Sequence, residues 1–299
     1  MRKVARLAVT ALLFALPTVA QTGYVAEITK WRADHEAELR ADDGWLSLAG
    51  LFWLKEGVNT VGTGSRYDVE LTRSFTRGKF GEIIVKKGLA ALVLERGVSA
   101  MSGDAKISAM TGEQSVSPLP LEADVPGPPT KIKIGTQIFY VISRMDKVGV
   151  RLKDSQNPKR LSFKGEKWFP IDPQYRIVAD YEPFSEPKVV QVPNVLGGSF
   201  AYKAPGLLHF TLAGEKLSLM PVVEEDHLFI IFKDQTSRTT TYGAGRFLYA
   251  DVAKDGKVIL DFNKAENPPC AFTEFATCPL PLAQNRLDVA IPAGEKRSH

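Results

Sequence analysis

The residues best suited to chemistry crowd toward the C-terminal end of this chain. The run Thr241–Tyr249 carries Tyr242 and Arg246 around Gly243 and Gly245. Asp261-Phe262-Asn263 and Asn267-Pro268-Pro269-Cys270 follow, then Cys278-Pro279 and Asn285-Arg286. Asp234 and Glu295 add carboxylates on either side of this stretch. Glycine lets backbone approach closely, so a guanidinium placed like that of Arg246 suits bidentate capture of a carboxylate or phosphate. Proline loses little entropy on folding and holds neighbouring side chains in a set geometry. Asp261 and Asn263, two apart on an expected strand, should face one side, with Phe262 turned to the core.

Three roles fit these groups. In the first, Tyr242, Arg246, Asp261, Asn263, Asn267 and Arg286 hold a small polar or anionic ligand on a rigid β platform. In the second, Asp261 or Asp234 is the general base of a hydrolase, and Arg246 clamps an anion. In the third, Arg246 pairs with Asp261 and the carboxamides bond loop backbone, a purely structural cluster. Ligand binding is the expected role, and no catalytic residue is assigned. The carboxylates and carboxamides could also take Ca²⁺, but no loop has regular ligand spacing, so no metal or cofactor is expected. No nucleophile elbow, P-loop, dinucleotide-binding glycine motif or zinc-protease helix occurs. His209 and His227 stand alone on expected strands. His35 lies on an apolar helical stripe and reads as a packed histidine.

The elements that must position these groups are mostly strands. Tyr24–Arg40 is the one clear helix, with Ile28, Trp31, His35 and Leu39 at helical spacing. From Trp45 onward, short β-rich runs bounded by Gly, Asp and Pro indicate sandwiches or barrels, without the helix–strand alternation of a parallel sheet. Examples are Ile83-Ile84-Val85, Phe139–Ile142 and Val150-Arg151-Leu152, then Leu208–Leu212 and Leu228–Phe232. Several of the later runs are continuous enough to be buried on both faces. Pro118 to Pro129 reads as a surface loop. The expected fold is mainly β, an N-terminal helix followed by two antiparallel β domains. Its divisions are a signal segment over 1–20, the helix within 21–44, a β-sandwich over 45–160 and a C-terminal β domain over 161–299. A polar stretch from Lys153 to Lys167 marks the boundary.

Arg2, Lys3 and Arg6, the apolar run Leu7–Leu16 and Thr18-Val19-Ala20 read as a cleavable export signal, which places the protein in the periplasm or outside the cell. The net charge of +4 falls to +1 without that segment, which holds three basic and no acidic side chains. A nearly neutral chain has no electrostatic footprint for nucleic acid, and no later stretch is apolar enough to span a bilayer. Both cysteines, Cys270 and Cys278, lie in the C-terminal cluster. In an oxidising compartment they suggest a disulfide, worth roughly 2–3 kcal/mol for so short a loop. The alternative is a pair of thiolate metal ligands, for which no histidine lies between Cys270 and His299.

Gly57, Val61-Gly62, Asp68–Leu71, Ile134-Gly135 and Phe139–Ile142 resemble the cadence of a forkhead-associated sandwich. Thr63 stands where that family places an arginine, and its Ser-x-x-His segment is missing. The resemblance therefore implies a sandwich shape without phosphothreonine recognition. A longer likeness covers nearly all of the chain after the signal. Asp43-Gly44-Trp45-Leu46, Gly50–Leu54, Tyr242–Leu248, Asp261–Ala265, Asn267–Phe272, Cys278–Pro281, Asn285-Arg286-Leu287 and Ala293-Gly294-Glu295 resemble domain-of-unknown-function family 1684, a group of bacterial and archaeal proteins. Glu266 departs from that pattern, which would have an aromatic residue there. Ser237-Arg238 departs too, in place of a glycine turn. The resemblance carries no assigned activity.

Overall fold

Two-residue alternation sets the architecture. The structure is a computed structural model that describes residues 19–72, 78–108 and 118–297. Most of the expected signal segment, residues 1–18, lies outside the described residues. The expected helix is present and longer than its apolar stripe, running Val19–Arg40. Ile28 and Leu39 of that stripe are buried. No described helix is long and apolar enough to cross a membrane.

The chain is mainly β, and none of the sheets among the described residues closes into a barrel. A six-stranded sheet runs in the order Leu48–Trp53, Lys147–Asp154, Gln137–Arg144, Ile132–Ile134, Ser99–Ser102 and Ala105–Ser108. A five-stranded sheet runs Val69–Leu71, Gly57–Thr63, Lys79–Lys86, Leu89–Leu94 and Leu119–Leu121. Pairing is antiparallel except between Gly57–Thr63 and Val69–Leu71, which run parallel. Phe80, Ile83 and Leu92 from one sheet meet Phe139, Val150 and Leu152 from the other in a single apolar core. The expected proline loop holds a strand, Leu119–Leu121, with Pro120 on the sheet edge, where a missing N–H does no harm.

The C-terminal half stacks a four-stranded sheet on a three-stranded one. The first runs Glu215–Leu219, Ser199–Leu212, Arg176–Pro193 and Lys257–Asp261. The second runs Val222–Glu224, His227–Phe232 and Arg246–Asp251. The continuous apolar run of the middle strand has its reason here. Leu228, Ile230 and Phe232 enter the core shared with the four-stranded sheet, whereas Phe229 and Ile231 pack on the opposite side with Phe247, Val192 and Cys278. A strand buried on both faces cannot alternate with polar residues.

Phe139 is fully buried and meets Phe80 edge-on at 5.9 Å between ring centroids. Phe139→Ala should destabilise the protein by about 3–5 kcal/mol, read from the midpoint of a urea transition. A loss under about 1 kcal/mol would show that these two sheets do not share a tight core.

Candidate functional site

The sequence-derived cluster separates into three groups. Arg246 is fully buried, and its partner is Asp234 rather than Asp261, with Nη2 donating to Asp234 Oδ2 at 2.8 Å. Nη2 also donates to the Ile291 carbonyl at 3.0 Å, and Nη1 to that of Ala293. Asp234 in turn caps the turn Gln235–Arg238, accepting from Thr236 N at 2.9 Å, and accepts from Ile291 N at 3.1 Å. Burial pulls the Arg246 pKa down, and Asp234 opposes that shift. This pair braces the fold. Its side chains are 1% and 0% exposed and line neither cavity described below.

Asp261 and Asn263 form the second group. The expected strand ends at Asp261, and Phe262–Lys264 is a 3₁₀ turn, so the two do not share a strand face. They meet all the same. Asp261 caps the turn by accepting from Asn263 N at 3.1 Å, and Tyr24 of the helix donates its hydroxyl to Asp261 at 2.9 Å. Asn263 Nδ2 donates to the Asp172 carbonyl at 2.8 Å, while its Oδ1 accepts from Asp172 N at 3.0 Å. These bonds pin the helix to the C-terminal half.

Asn267 belongs to the third group, where its backbone N donates to Glu295 Oε2 at 2.6 Å. Burial pushes Glu295 up to about 8 and Glu266 up to about 7. Burial also works against charge on His35, but Glu166 and Glu266 outweigh it and hold His35 up to about 9. Tyr242 donates to the Cys270 carbonyl at 3.0 Å, and Arg286 is exposed. In this structure Cys270 and Cys278 are free thiols, with no disulfide between them. They lie side by side, with Cys278 Sγ accepting from Cys270 N at 3.2 Å. Their mutual hydrogen bond holds Cys270 below the ordinary thiol range and Cys278 above it.

The open space lies elsewhere, between the six-stranded sheet and the C-terminal half. In Lys147–Asp154, Val150 and Leu152 point into the sandwich core, so Arg151 points out of it, toward the other half. There it is only 4% exposed and borders a cavity of about 850 Å³. Trp45, Phe200, Tyr202, Phe229, Phe247 and Tyr249 wall this space. The Arg151 guanidinium stands 5.1 Å from the Trp45 ring centre. Its Nε has no partner, and Nη2 reaches only Thr277 Oγ1, at 3.4 Å. Arg144, also on the wall, is neutralised by Asp124 through two bonds of 2.8 and 2.7 Å. Burial pushes Tyr202 up to about 12 and raises Glu224 above the usual carboxylate range.

A second cleft, of about 720 Å³, follows the N-terminal helix past Trp31, His35 and Glu38 to Lys153. It shares Trp45, Tyr249, Glu266 and Pro269 with the first cavity. Burial lowers Lys153 to about 8. Arg151 went unmarked in the sequence because its alternation with Val150 and Leu152 is that of any solvated strand face. Only docking of the C-terminal half makes it buried.

The profile of a family described as "Protein of unknown function (DUF1684)" matches residues 161–296. The chain belongs to the DUF1684 family. A solution NMR structure of an uncharacterized protein from Haloarcula marismortui is 32% identical, covering 46% of this chain and 78% of that one, with a TM-score of 0.39. No curated protein matches. The DUF1684 segment contains the Arg246–Asp234 brace and most aromatic walls of the large cavity. Trp45, Arg144 and Arg151 come from outside it.

Removing Asp234 leaves a buried guanidinium without its counter-charge. Asp234→Ala should therefore cost about 3–5 kcal/mol of unfolding free energy, whereas replacing both partners with Met and Leu should cost much less. Equal losses in the two variants would show that the charge pair is not what holds this junction.

Proposed function

We propose that this protein is an exported binder of a small molecule with an anionic group and a flat apolar body, seated in the cavity around Arg151. The observation that carries the reading is a buried arginine that has no carboxylate partner among the described residues. An uncompensated buried charge costs several kcal/mol, so a cationic side chain kept in such a place is suited to an incoming anion. Aromatic walls favour a flat apolar body, and the volume lies in the range of about 300–1,000 Å³ usual for small-molecule sites. The polar or anionic ligand expected at Arg246 is thus assigned to a different arginine.

The test is a thermal-shift and calorimetric screen of aromatic and aliphatic carboxylates, phosphates and sulfonates against the wild type and Arg151→Lys. Loss of the planar guanidinium should weaken a hit roughly ten- to a hundredfold, the worth of one charge-assisted hydrogen bond of about 1.5–3 kcal/mol. The unliganded melting temperature serves as the folding control. Hits that bind both proteins alike would sink the proposal, as would a screen without hits.

Export also bears on the thiols. We infer that Cys270 and Cys278, already adjacent, close into a disulfide in an oxidising compartment. Thiol titration in denaturant should find none in protein secreted through its own signal and two in protein made without it in a reducing cytosol. Two free thiols in the secreted form would refute this inference.

A further inference from the structure

We propose that His35, Glu166 and Glu295 form a binding site for a first-row divalent transition cation, at the wall of the cleft along the N-terminal helix. One ligand atom from each of the three lies within 4.8 Å of the others. A cation with bonds of about 2.0–2.2 Å separates its ligand atoms by roughly 3–4.4 Å, so small side-chain movements close the shell. The side chains of Glu166 and Glu295 are fully buried. Both oxygens of Glu166, Oε1 of Glu295 and Nε2 of His35 have no hydrogen-bond partner. His35 Nε2 and Glu166 Oε1 are 3.1 Å apart, at ion-pair distance and also within the range of two ligands of one ion.

Each ligand is held from behind. The His35 ring stacks on Trp31 at 5.3 Å and meets the edge of Trp168 at 6.1 Å. Its Nδ1 lies 3.3 Å from Glu266 Oε2, at ion-pair distance. A carboxylate behind the imidazole is the usual orienting partner of a metal-bound histidine. Glu166 is anchored through its backbone N, which donates to Glu36 Oε2 on the same helix at 3.1 Å. Glu295 has one oxygen fixed by Asn267 N, and its own N donates to the Ala265 carbonyl at 2.7 Å. Gly294, at φ +77°, allows that approach, since a Cβ there would sit 2.4 Å from the Ala265 oxygen.

An ion-pair network alone does not satisfy these groups. His35 is the only cation paired with Glu166 or Glu266 among the described residues, and Glu295 has none. Arg32 of the helix instead donates to the carbonyls of Phe169 and Asn263. One imidazole nitrogen with carboxylate oxygens suits Zn²⁺, Mn²⁺ or Fe²⁺ better than the all-oxygen shells of Mg²⁺ or Ca²⁺.

The test uses the full chain after signal removal, stripped with chelator and titrated separately with Zn²⁺, Mn²⁺, Mg²⁺ and Ca²⁺. Bound metal is counted by mass spectrometry and stability followed by thermal shift. The expected result is one equivalent of Zn²⁺ or Mn²⁺ with a raised melting temperature, and no saturable binding of Mg²⁺ or Ca²⁺. Glu295→Gln and His35→Gln should abolish stoichiometric binding, and Glu266→Gln should weaken it roughly 10–100-fold through the imidazole. Asp34→Asn, an exposed change on the same helix, should bind as wild type, and circular dichroism checks each fold. Absence of metal from the wild type, or equal binding by Glu295→Gln, would overturn the proposal. So would a Glu295→Gln variant that merely melts higher while the wild type ignores metal, the mark of a strained carboxyl cluster. The result is independent of Arg151, so this site and the anion cavity stand or fall separately.

Discussion

The buried pair of Arg246 and Asp234 sets the course of the C-terminal tail, and the rest of the site geometry follows from it. Neither side chain meets water, and apart from Arg246 Nε, which has no partner, their polar atoms bond within the protein. Arg246 uses its donors on the carbonyls of Ile291 and Ala293, and Asp234 accepts the Ile291 N–H. A tail without regular secondary structure is thereby laid along the three-stranded sheet, where Leu287, Val289, Ile291 and Ala293 complete the core. The next two residues are Gly294 and Glu295. The position of the Glu295 carboxylate is therefore a downstream consequence of a charge pair that never touches it.

The second constraint is the double burial of the strand His227–Phe232. One face closes the core of the C-terminal half. The other, with Phe229 and Phe247, turns toward the six-stranded sheet, whose outer face offers Tyr140, Arg151 and Lys153. Apolar meets polar across this junction, and the two surfaces do not fill it. Trp45 stands between them, with Arg151 and Lys153 both over its ring at 5.1 and 5.7 Å. The cavities are the space left on either side of that contact.

Most of the fold was legible because local patterns caused it. The stripe Ile28, Trp31, His35, Leu39 defines a helix whatever it packs against, and alternating runs define strands. The site was less legible because one residue type serves opposite ends. Arg246 behind glycines reads equally as a clamp for a ligand or as a brace for a tail, and the deciding fact is the distance to Asp234. Asp261 and Asn263 do meet, through a capping turn and not through the shared strand face that alternation suggests. His35 reads as packed from its place on the apolar stripe, and it does stack on Trp31. Its remaining nitrogen faces Glu166, a residue from the polar stretch that looked like a linker. Ligands from the helix, that stretch and the tail leave no spacing to recognise.

Glu266 brings these constraints together. Its backbone pairs with Phe247 in both directions at 2.9 Å, so it is fixed by the same strand that carries Arg246 at its start. Its side chain borders both cavities and touches His35 Nδ1. A carboxylate here needs compensation for its burial, and His35 is the group that supplies it.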